Sequence, residues 1–300
     1  MKATSNRLTR ARPLLGTFVE VSVSDAPRAD MDAAVDAAFA AVADVHRLMS
    51  FHDAGSDVGC LNSAASTQPV TVHAWTYQVL ELAADMHRRS RGAFDIAVAP
   101  RLQELGLLPR GADEQPSDPE EIPAAGAIEL LPDCRVRFRH PSMRIDLGGI
   151  AKGFAVDRAI DVLRDHAMPN GLVNAGGDLS AFGPAAQTIQ IRDPHAPERM
   201  MCRVELANQA LASSAGRLDL MRSAAVAEAA VIDPESGEPP RTVRAATVCA
   251  PSCMVADALT KVVMVAGERA AGPLEHYRAS AIFVSAEGDV RATTNWQGSC

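Results

Sequence analysis

Two short segments of this chain carry charged groups in spacings that suit chemistry on a phosphate. Asp146-Leu-Gly-Gly-Ile-Ala-Lys152-Gly runs from an expected strand end, through two glycines, into an expected helix with a lysine in its first turn. At such a junction the free N–H groups and the dipole of the helix favour an anion, glycine permits close backbone approach, and Lys152 adds a positive charge. Ala256-Asp257-Ala-Leu-Thr260-Lys261 sets a carboxylate, a hydroxyl three residues on and an ammonium four residues on along one helical face. Asp257 and Thr260 offer the oxygen ligands that a hard cation such as Mg²⁺ takes, with water and substrate phosphate completing its octahedron. The same spacing also describes an ordinary surface ion pair between Asp257 and Lys261.

Three weaker signals surround these. Asn174-Ala-Gly-Gly-Asp178 follows an apolar strand and reads as a tight turn, its Asn and Asp suited to local hydrogen bonds. Gly92-Ala-Phe-Asp95 sets an aromatic ring and a carboxylate at a turn before an apolar run. Ser50-Phe-His52-Asp-Ala-Gly-Ser56-Asp57 reads as a polar loop that caps a helix reaching Asn62. Neither a Walker A loop nor a GxGxxG fingerprint is present. Of 29 basic residues only Lys2, Lys152 and Lys261 are lysine, which points to positions 152 and 261 as places that want a compact ammonium rather than a planar guanidinium.

The elements that must position these groups can be read from periodicity. Phe18–Val23 alternates as a half-buried strand, and apolar residues from Met31 to Met49 fall at the spacing of one helical face over Asp30–Met49. A second amphipathic helix is expected over Trp75–Arg89 and a third over Ile150–His166. The last should start near Ser252, whose hydroxyl can cap the first turn, and run to Ala266. Short strands are expected at Arg135–Phe138, Arg144–Asp146, Leu172–Asn174, Thr188–Arg192, Cys202–Leu206 and Thr242–Val248, with a closing hairpin from Ala281 through the Glu287-Gly-Asp turn. Pro109 to Pro123 reads as a solvated loop. Strands in neighbouring pairs, interrupted by helices, favour an α+β architecture on antiparallel sheet.

With 300 residues, 47% of them hydrophobic, the chain can bury a large core. A net charge of −8 argues against nucleic acid or an anionic membrane as the main partner. No apolar h-region follows the N-terminal charges and no run is long enough for a membrane span, so the expected place is the cytoplasm. The six cysteines form no CxxC pair and are expected to be scattered reduced thiols.

Taken in order, these segments resemble the FAD:protein FMN transferases, the ApbE-type family. The likeness also takes in Arg12-Pro-Leu-Leu-Gly-Thr-Phe-Val-Glu, Ile232-Asp-Pro-Glu-Ser-Gly237 and Ala250-Pro-Ser-Cys-Met-Val-Ala-Asp257, and spans nearly the whole chain. The resemblance implies an α+β, T-fold-like arrangement of mixed, largely antiparallel sheets with packed helices. It would form one domain over 1–300, or two lobes with a boundary near 109–126. It implies transfer of FMN from FAD to a threonine or serine hydroxyl of an acceptor protein with release of AMP, Mg²⁺ sitting on the pyrophosphate. By the same resemblance Leu15, His52, Ala93, Phe94, Asp95, Asp146, Lys152 and Ile232 face FAD. Gly149, through its carbonyl, Asp257 and Thr260 hold the metal, and Asp257 and Lys152 are the catalytic pair. FAD pyrophosphatase activity, or FAD binding without turnover, needs the same groups. The chain departs from the family pattern in four places: Leu15 stands for a methionine, Ser213-Ser-Ala-Gly-Arg217 replaces Thr-Ser-Gly-x-Tyr, a histidine is missing at Ala230-Val231, and Lys261 stands where a threonine is expected.

Overall fold

The computed structural model describes residues 6–110, 124–194, 196, 198–216 and 231–299. Arg217, Ala230 and most of the proposed 109–126 boundary lie outside them.

An eight-stranded, wholly antiparallel sheet forms the centre: β1 (Arg7–Leu14), β2 (Thr17–Ser24), β6 (Asn170–Ala175), β7 (Asp178–Phe182), β10 (Gln209–Ala215), β11 (Val243–Ala250), β12 (Ser280–Ser285) and β13 (Val290–Ala292), adjacent in that order. A smaller sheet joins β3 (Val70–Thr71), β5 (Arg135–Phe138) and β4 (Ile128–Leu131). The ribbon β8 (Gln187–Arg192) with β9 (Met200–Leu206) lies on one face of the large sheet, where Ile191, Val204 and Leu206 bury Leu179, Leu211 and Ile282.

The opposite face is covered by helices α1 (Arg28–Met49), α5 (Ala151–Asp165) and α6 (Cys253–Ala266). Each turns a small or branched apolar stripe inward, for example Ala34, Val35, Ala38 and Val42 on α1 and Ala155, Ala159 and Leu163 on α5. The remaining helices are α2 (Asp57–Ala64), α3 (Ala74–Ser90), α4 (Ala99–Glu104) and α7 (Ala271–His276). One apolar core runs from Leu8 to Phe283. Among the described residues no helix is long and apolar enough to cross a membrane.

The expected helices are present, and Ser252 caps α6 by accepting from the Val255 N–H at 3.4 Å. Arg144–Asp146 is not a strand: the Asn62 side chain takes both backbone groups of Ile145, at 2.8 and 2.9 Å, and the Asp146 N–H goes to the Ile96 carbonyl, so no ladder partner is needed. Cys60, Cys134, Cys249 and Cys253 are free thiols as expected, but Cys202 is disulfide-bonded. Linear spacing keeps no record of a bond closed by the fold.

Candidate active site at the crossing of helices α5 and α6

Helices α5 and α6 approach unusually closely, and the reason is Gly153. A methyl group there would lie 2.3 Å from the Cys253 carbonyl oxygen and 2.8 Å from Asp257 Cβ. The contact is sealed by two crossed carboxylates. Asp157, one turn along α5, accepts from the Cys253 and Met254 N–H groups at 2.8 and 2.9 Å, capping α6. Asp257 on α6 accepts from the Gly153 N–H at 3.0 Å, capping α5 in return. Each carboxylate therefore meets the positive end of the other helix. Burial pushes the Asp157 carboxyl up to about 6, despite those two donors.

Two lysines converge on the same point. Lys152, in the first turn of α5, places its Nζ 2.7 Å from Asp178 Oδ2 and 3.7 Å from Asp257 Oδ2. Lys261, one turn beyond Asp257 on α6, donates to Asp257 Oδ1 and, at 3.1 Å, to the Asp257 backbone carbonyl. Both carboxylates are out of water, Asp257 at 0% and Asp178 at 2% exposure, whereas the Lys152 side chain is 32% exposed. Burial alone would raise Asp257, but the two ammonium groups outweigh it and hold the carboxyl below its usual range. Asp178 goes the other way, raised by burial and then by the Asp257 charge, which Lys152 only partly offsets. Lys152 loses by burial and gains more from Asp257 and Asp178, so its ammonium is held more firmly than usual. The result is a buried, charge-balanced quartet.

Of the other expected site residues, Gly149 and Asp146 lie beside this quartet. Gly149 leaves room for two neighbours: a Cβ there would be 3.6 Å from Lys261 Cε and 3.7 Å from Phe94 Cε2. Asp146 sits half-buried at the start of the junction, its Oδ2 accepting from the Gly148 N–H at 3.0 Å. Burial raises its carboxyl, against the pull of that N–H, of His52 and of Lys152. The Ala93-Phe94-Asp95 turn is held by Asp95, whose carboxylate accepts from the Ala97 N–H at 2.7 Å and the Ala125 N–H at 3.1 Å and lies 3.3 Å from His87 Nδ1. Beside that turn opens a cavity of about 920 Å³, with Ala93 and Asp95 on one side, Val262 and Val265 of α6 on another, and Asp233 and Glu235 closing it. Ile232 is buried next to Asp233. Leu15 occupies the two-residue turn of the β1–β2 hairpin with Gly16, both at positive φ, 55° and 70°. Thr17, at the foot of that turn, packs against Gly176, which puts Leu15 at the sheet end where Asp178 begins β7.

Two groups were hidden from sequence reasoning. Asp178 reads as a turn residue, and nothing in its spacing ties it to Lys152. Asp157 reads as one more polar position on a helix, although a carboxylate four residues after a glycine that touches another helix is a signal of reciprocal capping. The expected metal ligands do not fit a divalent cation in this arrangement. Lys261 covers one Asp257 oxygen, Gly153 and Lys152 face the other, and the Thr260 hydroxyl donates to the Asp257 carbonyl at 2.7 Å while meeting Ser214 Oγ at 2.8 Å. Among the described residues no cluster of three His, Cys, Asp or Glu side chains is placed to hold a metal.

A glycine-tightened crossing of two helices that gathers two lysines and two buried carboxylates, on an antiparallel sheet covered by helices, defines an α+β protein with a charged site at that crossing. The sequence profile of the ApbE family matches residues 15–292, and the chain belongs to that family. It is 28% identical to the FAD:protein FMN transferase of Treponema pallidum strain Nichols, over 97% of this chain and 88% of that protein. It is also 28% identical to the FAD:protein FMN transferase of Vibrio cholerae, over 75% of this chain and 71% of that one. The crystal structure of the ApbE protein from Thermotoga maritima superposes with a TM-score of 0.86, covering 96% and 97% of the two chains at 24% identity. The fold is the same.

Proposed function

We propose that this protein is a flavin transferase that moves FMN from FAD to a threonine or serine hydroxyl of an acceptor protein. Its relatives bear that activity in their names. The observation in this chain that carries the reading is the convergence of Lys152 and Lys261 at the glycine junction of α5, beside the Phe94 turn. Two ammonium groups and a helix N-terminus are what a pyrophosphate requires, and phosphoryl-type transfer asks the protein for positioning and charge neutralisation rather than covalent help.

In this reading the Ala93-Phe94-Asp95 turn and Ile232 flank the cavity that takes FAD. Asp95 anchors the turn, while Asp146, His52 and Leu15 border the junction. Lys152, fixed by Asp178 and Asp257, is directed at the phosphoryl oxygens. The acceptor hydroxyl forms a new P–O bond to the FMN phosphorus as the P–O bond to AMP breaks; AMP leaves with the bridging oxygen and one proton is released. Mg²⁺, which the family likeness brings with it, would supply further charge neutralisation, but lysine already takes the donor set at Asp257.

The test is incubation with FAD and an acceptor protein, followed by mass spectrometry of the acceptor and chromatography of the nucleotides. The reading expects an FMN-mass adduct and AMP in equal amounts. Release of FMN and AMP without adduct would assign a pyrophosphatase instead.

A further inference from the structure

We propose that Lys261 is the resident cation of this site, occupying with its ammonium the place a divalent metal would take between Asp257 and the pyrophosphate, so that FAD binds without added metal. The proposal rests on the flavin transferase reading and concerns how that site neutralises its substrate.

The geometry supports it at three points. Lys261 is held as a metal would be, by a carboxylate oxygen and a carbonyl oxygen of Asp257, and its stem lies 3.6 Å from where a Cβ on Gly149 would stand, alongside the glycine junction. An ammonium has three N–H groups; two are spent on Asp257, and the third has no partner among the described residues. With 15% of the side chain exposed, Lys261 is largely withdrawn from bulk solvent. A divalent ion at Asp257 would have to displace Lys261 from Oδ1 and then sit beside two displaced or adjacent ammonium groups, a repulsion that the low-dielectric setting magnifies.

The charge count agrees. Lys152 and Lys261 balance Asp178 and Asp257, so the quartet is neutral before substrate arrives. A carboxylate pair with only one lysine would carry net negative charge toward a pyrophosphate; the second lysine removes that repulsion. Thr260, the remaining hydroxyl, is occupied by the Asp257 carbonyl and Ser214 rather than by an ion.

The experiment measures FAD affinity of the full chain by calorimetry, with acceptor absent, in excess EDTA and in Mg²⁺, together with Mn²⁺ binding by electron paramagnetic resonance. The wild-type chain should bind FAD with dissociation constants within about twofold of each other in the two conditions. Lys261→Met should lose about tenfold in both, and Lys261→Thr should lose about tenfold in EDTA, recover in Mg²⁺ and acquire an FAD-dependent Mn²⁺ signal. A wild-type affinity that rises tenfold or more with Mg²⁺, or a Lys261→Met chain that binds FAD as well as wild type, would overturn the proposal while leaving the transferase reading standing. Absence of FAD binding in both conditions would remove both. The wild-type comparison needs no variant and so does not depend on how either substitution folds.

Discussion

Replacing Gly153 with alanine puts the α5–α6 crossing under a defined load. The added methyl would lie 2.3 Å from the Cys253 carbonyl oxygen and 2.6 Å from its carbon, both backbone atoms that cannot rotate away. To reach an ordinary contact of 3.4 Å the helices must separate by about 1 Å. That displacement stretches the 3.0 Å bond from the Gly153 N–H to Asp257 and shifts the Asp157 cap of α6. Overpacking of this kind costs about 1–3 kcal/mol, and the helical preference of alanine over glycine returns up to about 1 kcal/mol. A net loss of about 1–2 kcal/mol lowers the urea midpoint by about 0.5 M if the slope is near 3 kcal/mol/M. Because α6 carries Asp257 and Lys261, FAD affinity should fall as well. Gly272→Ala on α7, where a methyl meets nothing within 4 Å, serves as the control and should be neutral or slightly stabilising. An unchanged or raised midpoint for Gly153→Ala would refute the claim that this glycine sets the distance between the two helices.

Other substitutions probe the surrounding charges. Asp157→Asn keeps the shape but replaces one of two accepting oxygens with an amide donor facing an N–H, so unfolding in urea should show a loss of about 1–2 kcal/mol. Lys152→Met strips Asp178 of its ammonium. Discounted for the partial exposure of Lys152, the cost is about 1–3 kcal/mol. The raised Asp178 carboxyl means that this cost is small in acid and grows as pH rises through its folded value, so the gap from wild type should be wider at about pH 8 than at about pH 5. His87 shows the opposite pH trend. Its hydrogen bond to Asp95 outweighs burial and raises the imidazole above 6.5, so the pair stabilises fully below that value and loses its effect as pH rises through the folded one. The stability difference between wild type and His87→Gln should shrink between about pH 5.5 and about pH 8.5.

Much of this was legible in the residues. The periodicity of α1, α3, α5 and α6 is written in apolar spacing because each packs one stripe against the sheet, and the Ser252 cap marked where α6 begins. The strands were less even. β10 reads Gln-Ala-Leu-Ala-Ser-Ser-Ala and β7 is buried along its whole length, so neither shows the alternation that reveals a half-exposed strand. β1, with Pro13 and exposed arginines, is an edge strand whose composition disguises it. At the site, the junction from Asp146 to Lys152 and the Asp257–Lys261 face were visible as segments, since each is local. Their meeting was not. Asp178 joins Lys152 only because β7 lies beside α5, and the surface ion pair suggested by Asp257 and Lys261 is in fact buried because Gly153 lets α5 close over it.

The most direct measurement mixes the purified chain with FAD and the protein acceptor of the Vibrio cholerae relative, then weighs the acceptor. The account predicts an acceptor heavier by one FMN, with one AMP released for each adduct and no adduct from a Lys152→Met chain. An acceptor of unchanged mass, with FAD either intact or split to FMN and AMP, would contradict it.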